Sequence, residues 1–551
     1  MPHTQVLIVG AGPTGLVLAI QLRRHGIACR IIDKHAGVLE LTKSAALHAR
    51  TLEHFRDLGV ASPVLAEGQR VDVLTLRTGY RDRIAVDFRD LADTAYPHMV
   101  DIPQARTEHL LIDRLAETGV HVERDTACTA LEQTADGVVA SVTTPDGATE
   151  SIAADWVVGC DGARSTVRSL IGKDFVGAAY ADDWVLGDAV VDWPLPRNEM
   201  TFSGDKDGIY GVFPLPGERR YRLAYTQRRD GDGALIEPDL ADAQHALART
   251  GIRGTIRSVD QFWTFNLAHR QAVGYRRGRV FLAGDAGHVH TPFGGQGLNL
   301  GVGDAVNLGW KLAAVIAGTA PESLLDSYEA ERHRVAERVV AFTHLGAQAM
   351  LLRQDPRRHV RDAVMKVLRA TPPLRRTMAR RLSQLAHSYR GTLAVRGRVR
   401  HLRAGDRLPD PELFDGVTNR AVRLHDTLPS DRHTLLLAGD DRAGLQRPAR
   451  ELAALTERHR PGAVAVRLLT TSWDVASTTA PSGLPVLLDR ERIAAPLYGR
   501  GITAYLIRPD RHIGYAGPPD PARIQDCLAL YLDPVPAGHA GAGAPSPAGR
   551  S

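Results

Sequence analysis

The run Gly10-Ala11-Gly12-Pro13-Thr14-Gly15 constrains this chain more than any other feature, because an apolar stretch, Gln5–Val9, leads into it and a helix-periodic stretch, Leu16–His25, leaves it. Glycines at this spacing supply a tight turn, a close backbone approach and a close helix–strand contact, while the N–H groups of the helix start face outward toward an anion. A second apolar run, Ala28–Asp33, completes a βαβ unit. Asp33 closes it about twenty residues after the first glycine, where a carboxylate can accept hydrogen bonds from a ribose. A dinucleotide is the ligand this unit predicts.

A nicotinamide dehydrogenase would share those residues, so later motifs have to decide. Cys160-Asp161-Gly162-Ala163-Arg164-Ser165-Thr166-Val167-Arg168 follows the strand-like run Asp155–Gly159, and Gly284-Asp285-Ala286-Gly287-His288 follows the run ending at Ala283. Each delivers an Asp beside Gly at the C-terminal end of a strand, where open α/β sheets bind ligands. The second motif continues through Val289-His290-Thr291-Pro292-Phe293-Gly294-Gly295-Gln296-Gly297-Leu298-Asn299-Leu300-Gly301, so that backbone N–H groups at a helix start can face a group that becomes anionic. A reduced flavin is such a group.

With these motifs the sequence resembles the FAD-dependent aromatic hydroxylases, the class A flavoprotein monooxygenases, and within them the phenol hydroxylase, aromatic polyketide hydroxylase and rifampicin monooxygenase-like branch. The resemblance covers about residues 4–345, and more weakly about 400–532. It implies FAD contacts from Gly10, Gly12, Pro13, Thr14, Gly15, Asp33 and Lys34 on the ADP side, with Lys43, Gln104 and Arg106 near the phosphates or ribityl chain. It implies that Asp161 and Gly162 belong to a motif shared between FAD and NAD(P)H handling, that Asp285 binds the ribityl chain, and that Pro292, Gly295, Gln296, Gly297, Leu298 and Asn299 line the isoalloxazine, with Pro292, Gly295 and Asn299 closest to the chemistry. NADPH or NADH would serve as a transient reductant without a Rossmann domain of its own. Two positions depart from the pattern: Lys43 stands where a phosphate-side Arg is expected, keeping the charge without the bidentate fork, and Asp33 stands where Glu is usual.

The implied fold class is α/β: a Rossmann-type FAD-binding domain with an inserted β-sheet-rich substrate domain, a helical linker and a C-terminal thioredoxin-like α/β domain. The expected boundaries are 1–175 and 273–395 for the FAD-binding domain and its helices, 176–272 for the substrate sheet, 396–533 for the C-terminal domain and 534–551 for a disordered tail rich in Pro, Gly and Ala. The C-terminal domain has no C-x-x-C pair, so a thioredoxin resemblance there implies no dithiol chemistry. Oligomerisation or covering the active-site domain is its expected role, and a homodimer stays open.

A length of 551 residues with 44% hydrophobic and 24% charged residues is that of a multidomain globular chain. Its net charge of +5 comes from arginines interleaved with acids, which predicts no nucleic-acid partner. No uncharged apolar stretch reaches the roughly 18 residues of a membrane helix, no leader precedes Val6, and Cys29, Cys128, Cys160 and Cys527 lie far apart, so a cytoplasmic, membrane-free protein without a metal site is expected. The arginine-rich stretch Arg357–Arg381 reads as solvated helix faces. His288 and His290 lack an acidic third ligand nearby and read as structural or cofactor-side residues.

The expected substrate wall is the aromatic set Trp184, Phe202, Tyr210, Phe213, Pro214, Tyr225 and Trp263, joined by Pro292 and Phe293, since aromatic ligands bind concave apolar surfaces. Taken with the resemblance, these residues imply NAD(P)H- and O2-dependent hydroxylation of a phenolic or quinone-type aromatic, such as a polyketide or other natural product, through a flavin C4a-hydroperoxide. A dry pocket would protect that step from water. Baeyer–Villiger or epoxidising oxygenation of a polycyclic substrate is the alternative within the same fold, and a non-catalytic flavoprotein sequestering an aromatic ligand is the alternative outside enzymology.

Overall fold

The computed structural model describes residues 1–40, 44–78, 82–205, 208–290, 294–351, 366–367, 369–392, 395–400, 402–440, 442–471 and 483–533. The proline- and glycine-rich tail and most of the first half of Arg357–Arg381 lie outside the described residues. The chain divides into two units, one of Met1–Ala313 with Tyr328–Ser388 and one of Ala314–Ser327 with Tyr389–Ser551.

In the first unit, the strand His3–Val9 sits between Cys29–Ile32 and Thr149–Gly159, parallel to both. Val122–Glu123 extends the sheet beyond Cys29–Ile32, and Val280–Leu282 extends it beyond Thr149–Gly159, both again parallel. The chain therefore leaves His3–Val9 in opposite directions. The crevice at such a switch point opens at the strands' C-terminal ends, which here are Gly10 and Cys160–Asp161. Asp136-Gly137 and Asp146-Gly147 lie in the turns of two hairpins, as their turn chemistry predicts: Ala127–Gln133 pairs with Val138–Thr143, which pairs with Thr149–Gly159.

A second sheet of eight strands is built around two 18-residue antiparallel strands, Phe175–Asp192 and Thr255–Ala272. It is not confined to 176–272. Val73–Thr78 and Asp82–Asp87 join through a parallel pairing of Val73–Thr78 with Glu199–Asp205, and His288–Val289 joins at the other edge. No periodicity in 73–87 could announce that pairing, because its hydrogen-bond partners lie more than a hundred residues away. One face of the sheet packs against the helix Leu240–Ala248, with Val185, Tyr210, Val212, Leu223 and Tyr225 in that core.

The helix Gly297–Ile316 begins inside the glycine-rich motif. Asn299, Leu300 and Gly301 are buried in its first turns, where the glycine-rich spelling reads as loop. Among the described residues, no helix is long and apolar enough to cross a membrane.

The second unit carries a nine-stranded sheet with His433–Ala438 at its centre, parallel to Val464–Thr470 and antiparallel to Thr503–Ile507. The helix Arg442–His459 makes the crossover between the two parallel strands. Leu436, Leu469, Tyr505 and Ile513 lie in the core under this sheet, beside a buried Arg508–Asp510 ion pair at 2.6 Å.

Candidate active site

A cleft of about 580 Å³ runs through the first unit, lined by the glycine turn, the two Asp-Gly motifs, the loop at Gly295–Leu298 and one face of the eight-stranded sheet.

The glycine turn is shaped by close approach. Gly10 has φ +106° and donates its N–H to Ile32 O at 2.8 Å. A Cβ there would lie 2.4 Å from Cys160 O, and one on Gly15 would lie 2.0 Å from Gly10 O. Gly12 differs: it caps the helix Pro13–Arg24 without a side-chain bond, and a Cβ on it would meet nothing within 4 Å. Space over Gly12, together with uncapped N–H groups at the helix start, is what a pyrophosphate requires, so the residues fit a dinucleotide. Asp33 braces the turn, accepting from Ala11 N–H at 2.7 Å and His35 N–H at 2.9 Å, and each of its oxygens keeps a lone pair for a ribose. Lys34, Pro13 and Thr14 line the same wall.

Gln104 and Glu108 line the cleft from the helix Gln104–Ala116, joined by a 2.8 Å hydrogen bond. Arg106 does not. Two residues from Gln104 is about 200° around a helix, and Arg106 points outward to an ion pair with Glu67, its Nη2 2.7 Å from Oε1. Burial pushes the Glu108 carboxyl up to about 7, helped by Asp33 and Glu40 and opposed by Gln104 and Arg124. Sequence reasoning missed Glu108, although its i+4 spacing from Gln104 was a usable signal.

Asp161 lines the cleft while its oxygens cap the following turn, accepting from Ser165 Oγ at 2.5 Å and Val167 N–H at 3.1 Å. Gly162 beside it has φ +81° and open space around it. Arg168 ties this motif to the next, donating to Ala163 O at 2.9 Å and Ala286 O at 3.0 Å. Asp285 is exposed on the cleft wall. Behind it, Asp304 accepts from Gly284 N–H at 3.0 Å, from His288 Nε2 at 2.6 Å and from Arg332 Nε at 2.6 Å. Burial alone would raise the Asp304 carboxyl, but Arg332 and His288 hold it below its usual range. His288 is thus a buried structural residue, and His290 lines the cleft.

Gly295, Gln296, Gly297 and Leu298 line the cleft, whereas Asn299 stands just behind them. Its side chain donates to Ala46 O at 2.8 Å and Gly295 O at 2.7 Å and accepts from His48 N–H at 2.8 Å, locking the loop to the Ala46–His48 segment. Lys43, Pro292 and Phe293 lie outside the described residues.

The sheet wall carries Trp184, Leu186, Phe202, Ile209, Phe213 and Phe265, with Phe202 and Phe213 packed edge to face at 5.1 Å between centroids. Tyr210 and Tyr225 are corrections to the expected set, and Pro214 joins them. Side chains alternate across a strand. Ile209 and Phe213 face the cleft, so Tyr210 and Val212 face the opposite core, where Tyr210 pairs with Tyr225; Pro214, two residues beyond Val212, shares their parity and is absent from the cleft wall. Burial, with Asp242 nearby, pushes the Tyr225 phenol well up. Arg222 shares the cleft-facing parity and was not singled out from sequence. It grips Asp188 through two bonds of 2.7 and 2.9 Å and donates to Ser44 O at 3.2 Å.

Residues 3–343 match the family described as FAD binding domain. The chain is 37% identical over 549 residues to a 12-dehydrotetracycline 5-monooxygenase/anhydrotetracycline 6-monooxygenase from Streptomyces rimosus, covering 96% of this chain and 99% of that one. Among solved structures it is similar to an anhydrotetracycline hydroxylase from Streptomyces rimosus (TM-score 0.75, 33% identity, 97% and 100% of the two chains covered). It is also similar to an aklavinone-11 hydroxylase solved with FAD and aklavinone (TM-score 0.72, 25% identity, 96% and 99% covered).

Proposed function

Because this chain belongs to the FAD-dependent aromatic hydroxylases, the class A flavoprotein monooxygenases, we propose that its cleft hydroxylates a polycyclic phenol or quinone of the aromatic polyketide type, with NAD(P)H as reductant and O2 as co-substrate. One observation carries the reading: the glycine turn and an apolar aromatic sheet wall line the same cavity, with Gly295–Leu298 on its boundary.

In this reading Gly10, Gly12, Gly15 and Asp33 hold the ADP half of FAD, and Asp285 and Gln104 its ribityl side. FAD supplies the electron transfer and oxygen activation. The chain's residues supply binding, orientation and dryness. Backbone N–H groups at the start of Gly297–Ile316 would stabilise negative charge on a reduced flavin held in the cleft. Phe202, Phe213 and Trp184 stack the substrate and exclude water. Arg222 is the cation on that wall, placed to favour an ionised phenol, whose oxygen makes the neighbouring carbon electron-rich. The second unit reads as thioredoxin-like, supported by its parallel His433–Ala438 and Val464–Thr470 with a helical crossover.

The experiment is to measure substrate-stimulated NAD(P)H oxidation over polycyclic phenols and quinones, each beside its O-methyl ether, following product mass. A mass gain of one oxygen on the phenol, lost on methylation, is the expected result. Efficient conversion of the ether, or a ring-expanded lactone from the parent, would favour Baeyer–Villiger oxygenation; no stimulation by any aromatic would point to a ligand-sequestering flavoprotein.

A further inference from the structure

The loop at Gly294–Asn299 is held from a place that neither the sequence motifs nor the cleft would suggest. Gln384, in the turn that follows the helix Pro372–Leu382, is 2% exposed and adopts φ +62°. A glycine would be comfortable there, whereas glutamine costs about 1 kcal/mol in that backbone region. Its side-chain amide is committed to one residue. Nε2 donates to Gln296 Oε1 at 2.8 Å and to Gln296 O at 3.3 Å. Gln296 answers by donating to Leu382 O at 2.8 Å and Gly294 O at 3.2 Å. Both amide hydrogens and the amide oxygen of Gln296 are therefore used within the protein. Across the loop, His48 Nε2 lies 2.7 Å from Gly294 O. Burial brings the His48 imidazole down to about 4, so the ring is neutral and its hydrogen sits on Nε2 to make that bond.

We propose that Gln384 is a positioning residue for oxygen transfer: through the Gln296 amide it fixes the backbone of Gly295–Leu298 against the flavin ring. The inference rests on the reading that this loop borders the isoalloxazine. It accounts for why a strained turn some ninety residues downstream carries glutamine, and it predicts that the Gln296 side chain is a tether rather than a cofactor contact.

Gln384→Gly removes the amide while relieving the backbone, so a loss in that variant comes from the missing amide and not from added strain. In that variant the FAD dissociation constant, read by fluorescence of flavin titrated with apoprotein, should rise about threefold to tenfold, the size of one net buried hydrogen bond. At saturating FAD, the share of consumed NAD(P)H released as hydrogen peroxide should also rise severalfold. Gln384→Glu keeps the length but sets a carboxylate against two acceptors, so its peroxide share should approach wild type at low pH, where the protonated acid donates to Gln296, and climb as the acid ionises. A purely structural residue would not produce that pH signature. Wild-type dissociation constants and peroxide shares in Gln384→Gly, or a flat pH response in Gln384→Glu if the glycine variant fails to fold, overturn the proposal while leaving the hydroxylase reading intact. A wild-type enzyme that no aromatic substrate stimulates would sink both.

Discussion

The two walls of the cleft are made in opposite ways. The glycine-turn wall is local: six consecutive residues and one aspartate build it, and its geometry follows from backbone clashes that only glycine escapes. The sheet wall is assembled from strands far apart in the chain, from Phe175–Asp192 to Thr255–Ala272, and each residue's role depends on which side of a pleat it falls. A local wall is rigid in its identity and sensitive to single atoms. An assembled wall tolerates side-chain change but depends on register.

That contrast can be broken most forcefully at Gly10. Gly10→Ala sets a methyl 2.4 Å from Cys160 O at φ +106°, and we expect a loss of about 3 kcal/mol or more in stability together with loss of bound FAD, measured by urea unfolding and by flavin absorbance of the purified protein. A stable, yellow variant would show that the turn is not shaped by backbone contact.

Gly12→Ala is the sharper companion, because its Cβ meets no protein atom within 4 Å. The apoprotein should unfold within about 0.5 kcal/mol of wild type, yet bind FAD roughly tenfold to hundredfold more weakly, since the methyl would stand in the space left for the pyrophosphate. Unchanged affinity in a flavin titration would remove Gly12 from the cofactor wall.

On the sheet wall, Phe213→Ala should raise the substrate KM about tenfold through loss of apolar contact and of its edge-to-face partner Phe202, with FAD affinity unchanged. Tyr225→Phe, on the opposite face, should leave KM within about twofold. Equal effects of the two in steady-state kinetics would mean that strand parity does not decide substrate contact.

The smallest effect is at Glu108, held near 7 by burial against an ordinary value of 4.5. A carboxyl raised in the folded state keeps its full stability only below the unfolded value and loses it as pH climbs toward the folded one. Glu108→Gln should therefore stabilise the apoprotein clearly more at pH 8 than near pH 4.5, a difference visible in paired urea titrations.

How far the site could be read from sequence follows the same division. Gly10–Thr14, Asp33, Asp161 and Asp285, singled out from sequence, line the cleft; they were legible because each motif keeps its partners within a few residues, or at the end of a strand that announces itself by an apolar run. Arg106 was misjudged for want of helical phase: Gln104 and Glu108 share the inward face, and Arg106 lies across from them on the pair with Glu67. Tyr210 and Tyr225 were misjudged for want of strand parity, since aromatic residues in a half-buried sheet fill both faces. Arg222 and Gln384 carried no motif at all, and Arg168, the last residue of the Cys160–Arg168 motif, gave no sign of its bond to Ala286.

The sequence by itself determined the βαβ start, the glycine turn, the acidic residues at strand ends and hence a flavin-type cofactor, because those depend on φ, ψ and contacts between near neighbours. Tertiary structure alone decided which face of each sheet strand meets the cleft, that Val73–Thr78 and Asp82–Asp87 join that sheet, and that Gln384 reaches Gln296 across eighty-eight residues. Those outcomes rest on pairings between distant segments, whose register is set by the packing of the whole sheet and core rather than by any window of the chain.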